Sequence, residues 1–152
     1  SPYIDEAIQS GCRIKAEVVS HDEQERGLRA ILNYGHTIGH AIEALADFGR
    51  LSHGESIAIG MVGEAMIGAR LGTVNEEIVL RTRQLLASYG LPTRLPDAFS
   101  ERDILARMRH DKKNRSGHLV IVLPTGWGEV DIFPNISEQV VLDVLCKLKV
   151  ES

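Results

Sequence analysis

His36 and His40 stand four residues apart, and a third histidine follows at His53. Residues i and i+4 share a helix face, so the first pair would project together. Asn33 lies three residues before His36, and Arg29 four before Asn33. On one continuous helix these four polar groups form a stripe, with Leu28, Ile31, Leu32, Ile38 and Ile42 elsewhere. A solvated face is normally built from Glu and Lys, so a stripe of Arg, Asn, His and His is unusual. Gly35 and Gly39 interrupt it, each at a cost of about 1 kcal/mol against Ala in a helix interior. That cost points to something approaching the backbone closely. His53 opens the next helix, and two antiparallel helices joined by a short loop would bring His36 and His53 together. Two imidazoles with a carboxylate form a common zinc set that leaves a position for substrate. The HExxH arrangement is excluded, because Thr37 stands where Glu is needed. The plain alternative is that histidines at this spacing are incidental, and that Glu43, Glu55 and Arg50 are solvated or capping groups.

The elements that must position these residues are mostly helical. Short helices are expected over 2–10 and 12–20, with a turn at His21–Glu25. A long helix is expected from Gly27 to Leu45, on the spacing of Leu28, Ile31, Leu32, Ile38, Ile42 and Leu45. Ser52 with Glu55 forms a capping-box signature for a helix over His53–Leu71. That helix is rich in Gly and Ala, which suits close packing on all sides, and Gly72 is its stop. Asn75 caps a helix over Glu76–Tyr89, which Gly90 and Pro92 end. Ser100 with Asp103 starts another, to His110. The pattern then turns β-branched at His118–Leu123 and alternates at Glu129–Phe133, which predicts a β-hairpin around a Gly-rich loop. A last helix is expected over Ser137–Val150. The fold class expected is mainly α with a small β-hairpin, in one domain spanning 1–152.

Length and composition set the bounds. The chain has 152 residues, 43% of them hydrophobic, enough for one sizeable core that buries roughly 68–70% of the unfolded surface. A formal charge of −4 disfavours nucleic acid and anionic membranes as partners. Any anion site must be a local cluster of Lys and Arg. Cys12 and Cys146 are far apart and form no CxxC pair, so neither a disulfide framework nor a zinc ribbon is legible. Cys146 sits in an apolar run and is expected to be a buried small hydrophobe. With no signal-peptide pattern and no apolar stretch of 18 residues, a cytoplasmic protein is the default expectation. The chain opens at Ser1-Pro2, an N-cap and first-turn pair, without an initiator Met, and reads as an excised domain.

Five stretches together resemble the 3-dehydroquinate synthases: Lys15–Val19 (KAEVV), Asp22–Arg29 (DEQERGLR), Leu32–Glu43 (LNYGHTIGHAIE), Leu51–Met61 (LSHGESIAIGM) and Asp111–Asn114 (DKKN). The resemblance covers essentially the whole chain and implies a multihelical dehydroquinate synthase-like carboxy-terminal domain. It also implies conversion of 3-deoxy-D-arabino-heptulosonate 7-phosphate to 3-dehydroquinate, in the shikimate route to aromatic amino acids. In that family an amino-terminal domain binds NAD, and the helical domain holds a metal, usually zinc, with two His and one Glu. The histidines match His36 and His53. The Glu and the NAD-binding glycines lie upstream and are absent from this chain, so the fragment alone is expected to be inactive. Lys15, Arg29 and Lys112 or Lys113 match cations that engage the substrate carboxylate or phosphate. Asn33 matches a residue that hydrogen-bonds a ring hydroxyl, and His40 one near the phosphate and the proton-transfer path. The resemblance implies a small sugar phosphate as substrate and a homodimer as the full-length assembly. Three competing readings remain: a 2-deoxy-scyllo-inosose synthase-like cyclase, whose substrate lacks a carboxylate; a non-catalytic interaction module; and a metal-dependent polyol dehydrogenase of the same superfamily, a group that generally lacks the Lys112-Lys113 feature.

Overall fold

The computed structural model describes residues 32–46, 50–110 and 118–150. From Tyr34 onward the chain forms one compact unit. Its elements are α1 (His36–Leu45), α2 (His53–Leu71), α3 (Glu76–Ser88), α4 (Glu101–Arg109), the strands β1 (His118–Gly126) and β2 (Glu129–Ser137), and α5 (Glu138–Val150). The expected helices over 2–10 and 12–20, the turn at His21–Glu25, and Cys12 lie outside the described residues.

The helix boundaries follow local chemistry. Ser52 Oγ accepts the Glu55 N–H at 3.1 Å, and the Glu55 carboxylate accepts the Ser52 N–H at 2.9 Å. This reciprocal box starts α2 where the sequence predicts, and Gly72, at φ 84°, ends it. Asn75 and Ser100 cap α3 and α4 through their side-chain oxygens. Ser137 Oγ accepts the Val140 N–H at the start of α5.

The helix expected over Gly27–Leu45 is different. Leu32 and Asn33 lie in a short 3-10 turn, and α1 begins only at His36. Gly35 adopts φ 84°, a left-handed conformation that a helix cannot pass through. Helical spacing therefore cannot be counted across Gly35, and Asn33 does not share a helical stripe with His36 and His40.

The expectation of a close approach at the glycines has a physical source in α2. A Cβ on Gly60 would meet the Gly35 carbonyl oxygen at 2.1 Å and the Gly39 nitrogen at 2.7 Å. A Cβ on Gly39 would meet the Ser56 carbonyl oxygen at 3.1 Å. The first turns of α1 thus rest directly on the backbone of α2. From Ser56 to Gly68, α2 is buried at every position except Ile57 and Met61, as its small residues anticipate. It packs against α1, α3, β1 and α5. Ile38 and Ile42 of α1, Ile59 and Ile67 of α2, Ile121 and Leu123 of β1, and Leu145 and Leu148 of α5 are fully buried in one core.

The hairpin pairs β1 antiparallel to β2, from His118↔Ser137 to Gly126↔Glu129, around Trp127-Gly128. Both strands run longer than expected. Pro134 stays within β2 because it lies in the register shift between Leu119↔Ile136 and Ile121↔Phe133, where the missing N–H costs no ladder bond. The burial expected of Cys146 is corrected, for it is exposed. The buried stripe of α5 is Val141, Val144, Leu145 and Leu148, and Cys146 falls between its rows.

Gly60→Ala should therefore lower the urea midpoint, with a loss of about 1–3 kcal/mol as overpacking forces the helices apart. Gly54→Ala, where an added Cβ meets nothing within 4 Å, should be neutral or stabilising by up to about 1 kcal/mol. Equal midpoints for the two variants would contradict the backbone-contact geometry.

Candidate functional site

His36 is the first residue of α1, His40 stands one turn later, and His53 is the first residue of α2. The crossing of α1 on α2 brings all three rings together. Centroids are 4.9 Å apart for His36 and His40, 5.8 Å for His36 and His53, and 6.0 Å for His40 and His53.

Two of the rings are oriented by acceptors. His36 Nδ1 lies 3.1 Å from the Tyr34 carbonyl oxygen. A carbonyl can only accept, so Nδ1–H donates and, in the neutral ring, Nε2 carries the lone pair. His53 Nδ1 lies 2.9 Å from Glu43 Oε2. This hydrogen bond is the main cause that holds the Glu43 carboxyl below the usual carboxylate range, and nearby His40 and His36 add to it. An ionised carboxylate accepts, so His53 also donates through Nδ1 and directs Nε2 elsewhere. A carbonyl or carboxylate behind an imidazole is the usual support for a metal-binding histidine.

The donor chemistry fits a divalent ion. Donor atoms of His40, Glu43 and His53 lie within 4.8 Å of one another, and His36 adjoins them. Imidazole nitrogens with a carboxylate oxygen are the ligands zinc takes. Glu43, by type a solvated charge, is part of the site through its hydrogen bond to His53. Its signal in the sequence was the i+3 spacing from His40 and i+7 from His36, which puts it on their helix face.

A cleft of about 240 Å³ opens beside the rings, lined by His36, Thr37, His40, Arg107, Met108 and His110 among others. Arg107 and His110, from the end of α4, make this wall basic. Neither was singled out as a site residue from sequence, although His110 directly precedes Asp111-Lys112 and Arg107 lies four residues before Asp111. Asn33 is half-buried in its turn, within the chain segment that precedes this unit. Lys15, Arg29, Lys112 and Lys113 lie outside the described residues.

Behind the site is a residue that sequence reasoning missed. Glu64 of α2 is 0% exposed, and its Oε1 accepts the Gly35 N–H at 3.2 Å. Gly35 has no side chain to cap α1, so Glu64 supplies the cap from the neighbouring helix. Burial raises its carboxyl well above the usual range, and the N–H bonds from Gly35 and Ile38 oppose this only in part. Tyr34, next to Gly35, donates its hydroxyl to the Met61 carbonyl oxygen at 3.1 Å. The sequence signal was a lone acid set among apolar and small residues on a helix buried all round.

Glu64→Gln should uncouple stability from pH in one direction. At low pH the folded and unfolded chains both carry the proton. As pH rises past about 4.5, the ordinary value for Glu, the unfolded chain ionises first. The native protein then loses stability until pH passes the raised folded value. Denaturation between about pH 4 and about pH 8 should show the variant gaining on the wild type as pH rises. A constant difference across that range would mean that Glu64 has an ordinary carboxylate pKa in the fold.

Residues 1–114 match the protein-family model described as 3-dehydroquinate synthase C-terminal. The 3-dehydroquinate synthase of Desulforamulus reducens is 45% identical over 142 residues, 93% of this chain and 40% of that protein. The Synechocystis 3-dehydroquinate synthase is 45% identical over 134 residues, 88% and 37% of the two chains. Among solved structures, a 2-deoxy-scyllo-inosose synthase complexed with carbaglucose-6-phosphate, NAD+ and Co2+ superposes with a TM-score of 0.74 at 30% identity, over 88% of this chain and 38% of that one. A 2-epi-5-epi-valiolone synthase from Streptomyces hygroscopicus, with NAD+ and Zn2+ bound, gives 0.73 at 22% identity, over 87% and 36%, a likeness of fold alone. The chain spans about two-fifths of the length of these relatives.

Proposed function

The chain belongs to the 3-dehydroquinate synthase carboxy-terminal family, and on that premise we propose that it is the metal- and substrate-binding domain of an enzyme that converts 3-deoxy-D-arabino-heptulosonate 7-phosphate to 3-dehydroquinate and phosphate. The observation that carries this reading is the His36–His53 pair, 5.8 Å apart at the ring centroids, each ring turned by an acceptor at Nδ1. In the proposal His36 and His53 hold a divalent ion, zinc in the first instance, through Nε2. Bound there, the metal supplies Lewis-acid polarisation of the substrate hydroxyl that NAD oxidises. His40, on the wall of the basic cleft, receives the phosphate end and serves the proton-transfer path. Arg107 adds positive charge to the same wall, and His110 a polar ring. Lys15, Arg29 and Lys112 or Lys113 bind the carboxylate and phosphate, and Asn33 a ring hydroxyl. Charge-assisted contacts of this kind are how a chain of net charge −4 would hold a substrate with several negative charges.

NAD and the third metal ligand, a Glu, come in this reading from an amino-terminal domain outside the chain, and the full assembly is a cytoplasmic homodimer. No helix among the described residues is long and apolar enough to cross a membrane.

The test is phosphate release. The chain alone with NAD and Zn2+ should release none from the heptulosonate phosphate. Joined to the amino-terminal half of the Desulforamulus reducens relative, it should turn over. His36→Ala and His53→Ala should each cost more than the roughly 10- to 100-fold expected for losing an outer-shell partner. Arg29→Ala should weaken the carboxylated substrate roughly tenfold to a hundredfold, one charge-assisted contact. Turnover of glucose 6-phosphate instead would favour the inosose synthase-like reading. No turnover of either by the joined protein would favour a non-catalytic module.

A further inference from the structure

We propose that Glu43 is a positioning residue: it holds His53 by Nδ1 so that Nε2 is the nitrogen presented to a divalent ion. This rests on the metal reading above and adds a residue to it.

His36, His40 and Glu43 occupy successive turns of one face of α1, and His53 meets that face from the start of α2. The Glu43 Oε2 to His53 Nδ1 distance of 2.9 Å is that of a full charge-assisted hydrogen bond. His36 carries the same feature in another form, with Nδ1 bound to the Tyr34 carbonyl oxygen at 3.1 Å. The two rings thus share one tautomer by two unrelated means, one backbone and one side chain.

The alternative is that Glu43 is itself a ligand, since donor atoms of His40, Glu43 and His53 fall within 4.8 Å of one another. Ring geometry separates the two roles. The in-plane directions of Nδ1 and Nε2 diverge to nearly opposite sides of an imidazole. A carboxylate held at Nδ1 therefore faces away from an ion on Nε2 of the same ring. Glu43 and His53 can share an ion only if His53 gives up this hydrogen bond and binds through Nδ1. His53 and Glu43 are exposed (side chains 58% and 41% accessible), so packing restrains the ring only in part and the hydrogen bond sets which nitrogen carries the proton.

The experiment uses the whole chain, with Glu43→Gln and Glu43→Ala, at a pH about one unit above the ordinary histidine value of roughly 6.5. Nitrogen-15 NMR of the histidine rings without metal should show His53 as the Nδ1–H tautomer in the wild type and in Glu43→Gln, whose amide oxygen still accepts. In Glu43→Ala it should revert to a mixture. Zn2+ titration should find Glu43→Gln within about threefold of the wild type and Glu43→Ala weaker by roughly 10- to 100-fold. Equal losses in both variants would make Glu43 a ligand and overturn the proposal. An Nε2–H tautomer for His53 in the wild type would overturn it as well, and that readout holds whatever the chain's zinc affinity. Zn2+ binding indifferent to His36→Ala and His53→Ala would instead overturn the metal reading. Zn2+ binding lost in those variants but unmoved in Glu43→Ala would remove only the role given to Glu43.

Discussion

The contact on which the site depends is the crossing of α1 on α2, where Gly60 lies against the Gly35 carbonyl and the Gly39 nitrogen. Backbone touches backbone there, and no side chain intervenes to adjust the spacing. The start of α1 is therefore placed by the path of α2 itself. That rigidity is what three histidines need if their ring centroids are to stay within 6.0 Å of one another, because metal and substrate sites tolerate displacements of only about 0.5 Å.

The same crossing creates a cost. Gly35 has no side chain to cap α1, and a helix end buried without acceptors is unfavourable. Glu64 meets the need from one turn further along α2. A fully buried carboxyl is expensive, and its second oxygen has no hydrogen-bond partner among the described residues. The fold accepts that cost directly behind the first turn of α1, and the Tyr34 carbonyl that orients His36 belongs to the same short segment. The cap, the left-handed glycine and the histidine orientation are one linked device.

The cleft beside the rings has a division of labour. One wall carries imidazoles from α1, and the other carries Arg107 and His110 from the end of α4. The charge of the whole chain is negative, so this basic wall is a local departure from it. The two walls lie far apart in sequence and meet because α1 and α4 pack together.

Much of this was legible in the residues alone. The capping box at Ser52 and Glu55, the caps at Asn75 and Ser100, and the left-handed stop at Gly72 are local chemistry, and the elements they bound appear as expected. The small-residue composition of α2 announced a helix buried all round. His36, His40 and His53 were nominated by type and spacing, and the motifs around them marked the family. Other features depended on tertiary structure. The interruption at Gly35 was hidden because glycine is compatible with both a helix and its end, and apolar spacing continues across it. The exposure of Cys146 depended on which face of α5 met the core. Pro134 could remain in a strand because a bulge received it. Glu43 and Glu64 each look like ordinary surface acids by type. One was given a role by a histidine ten residues later and the other by a backbone amide twenty-nine residues earlier. Caps, turns and periodicity are decided by neighbours in sequence, whereas the partner of a carboxylate is decided by what folding brings beside it.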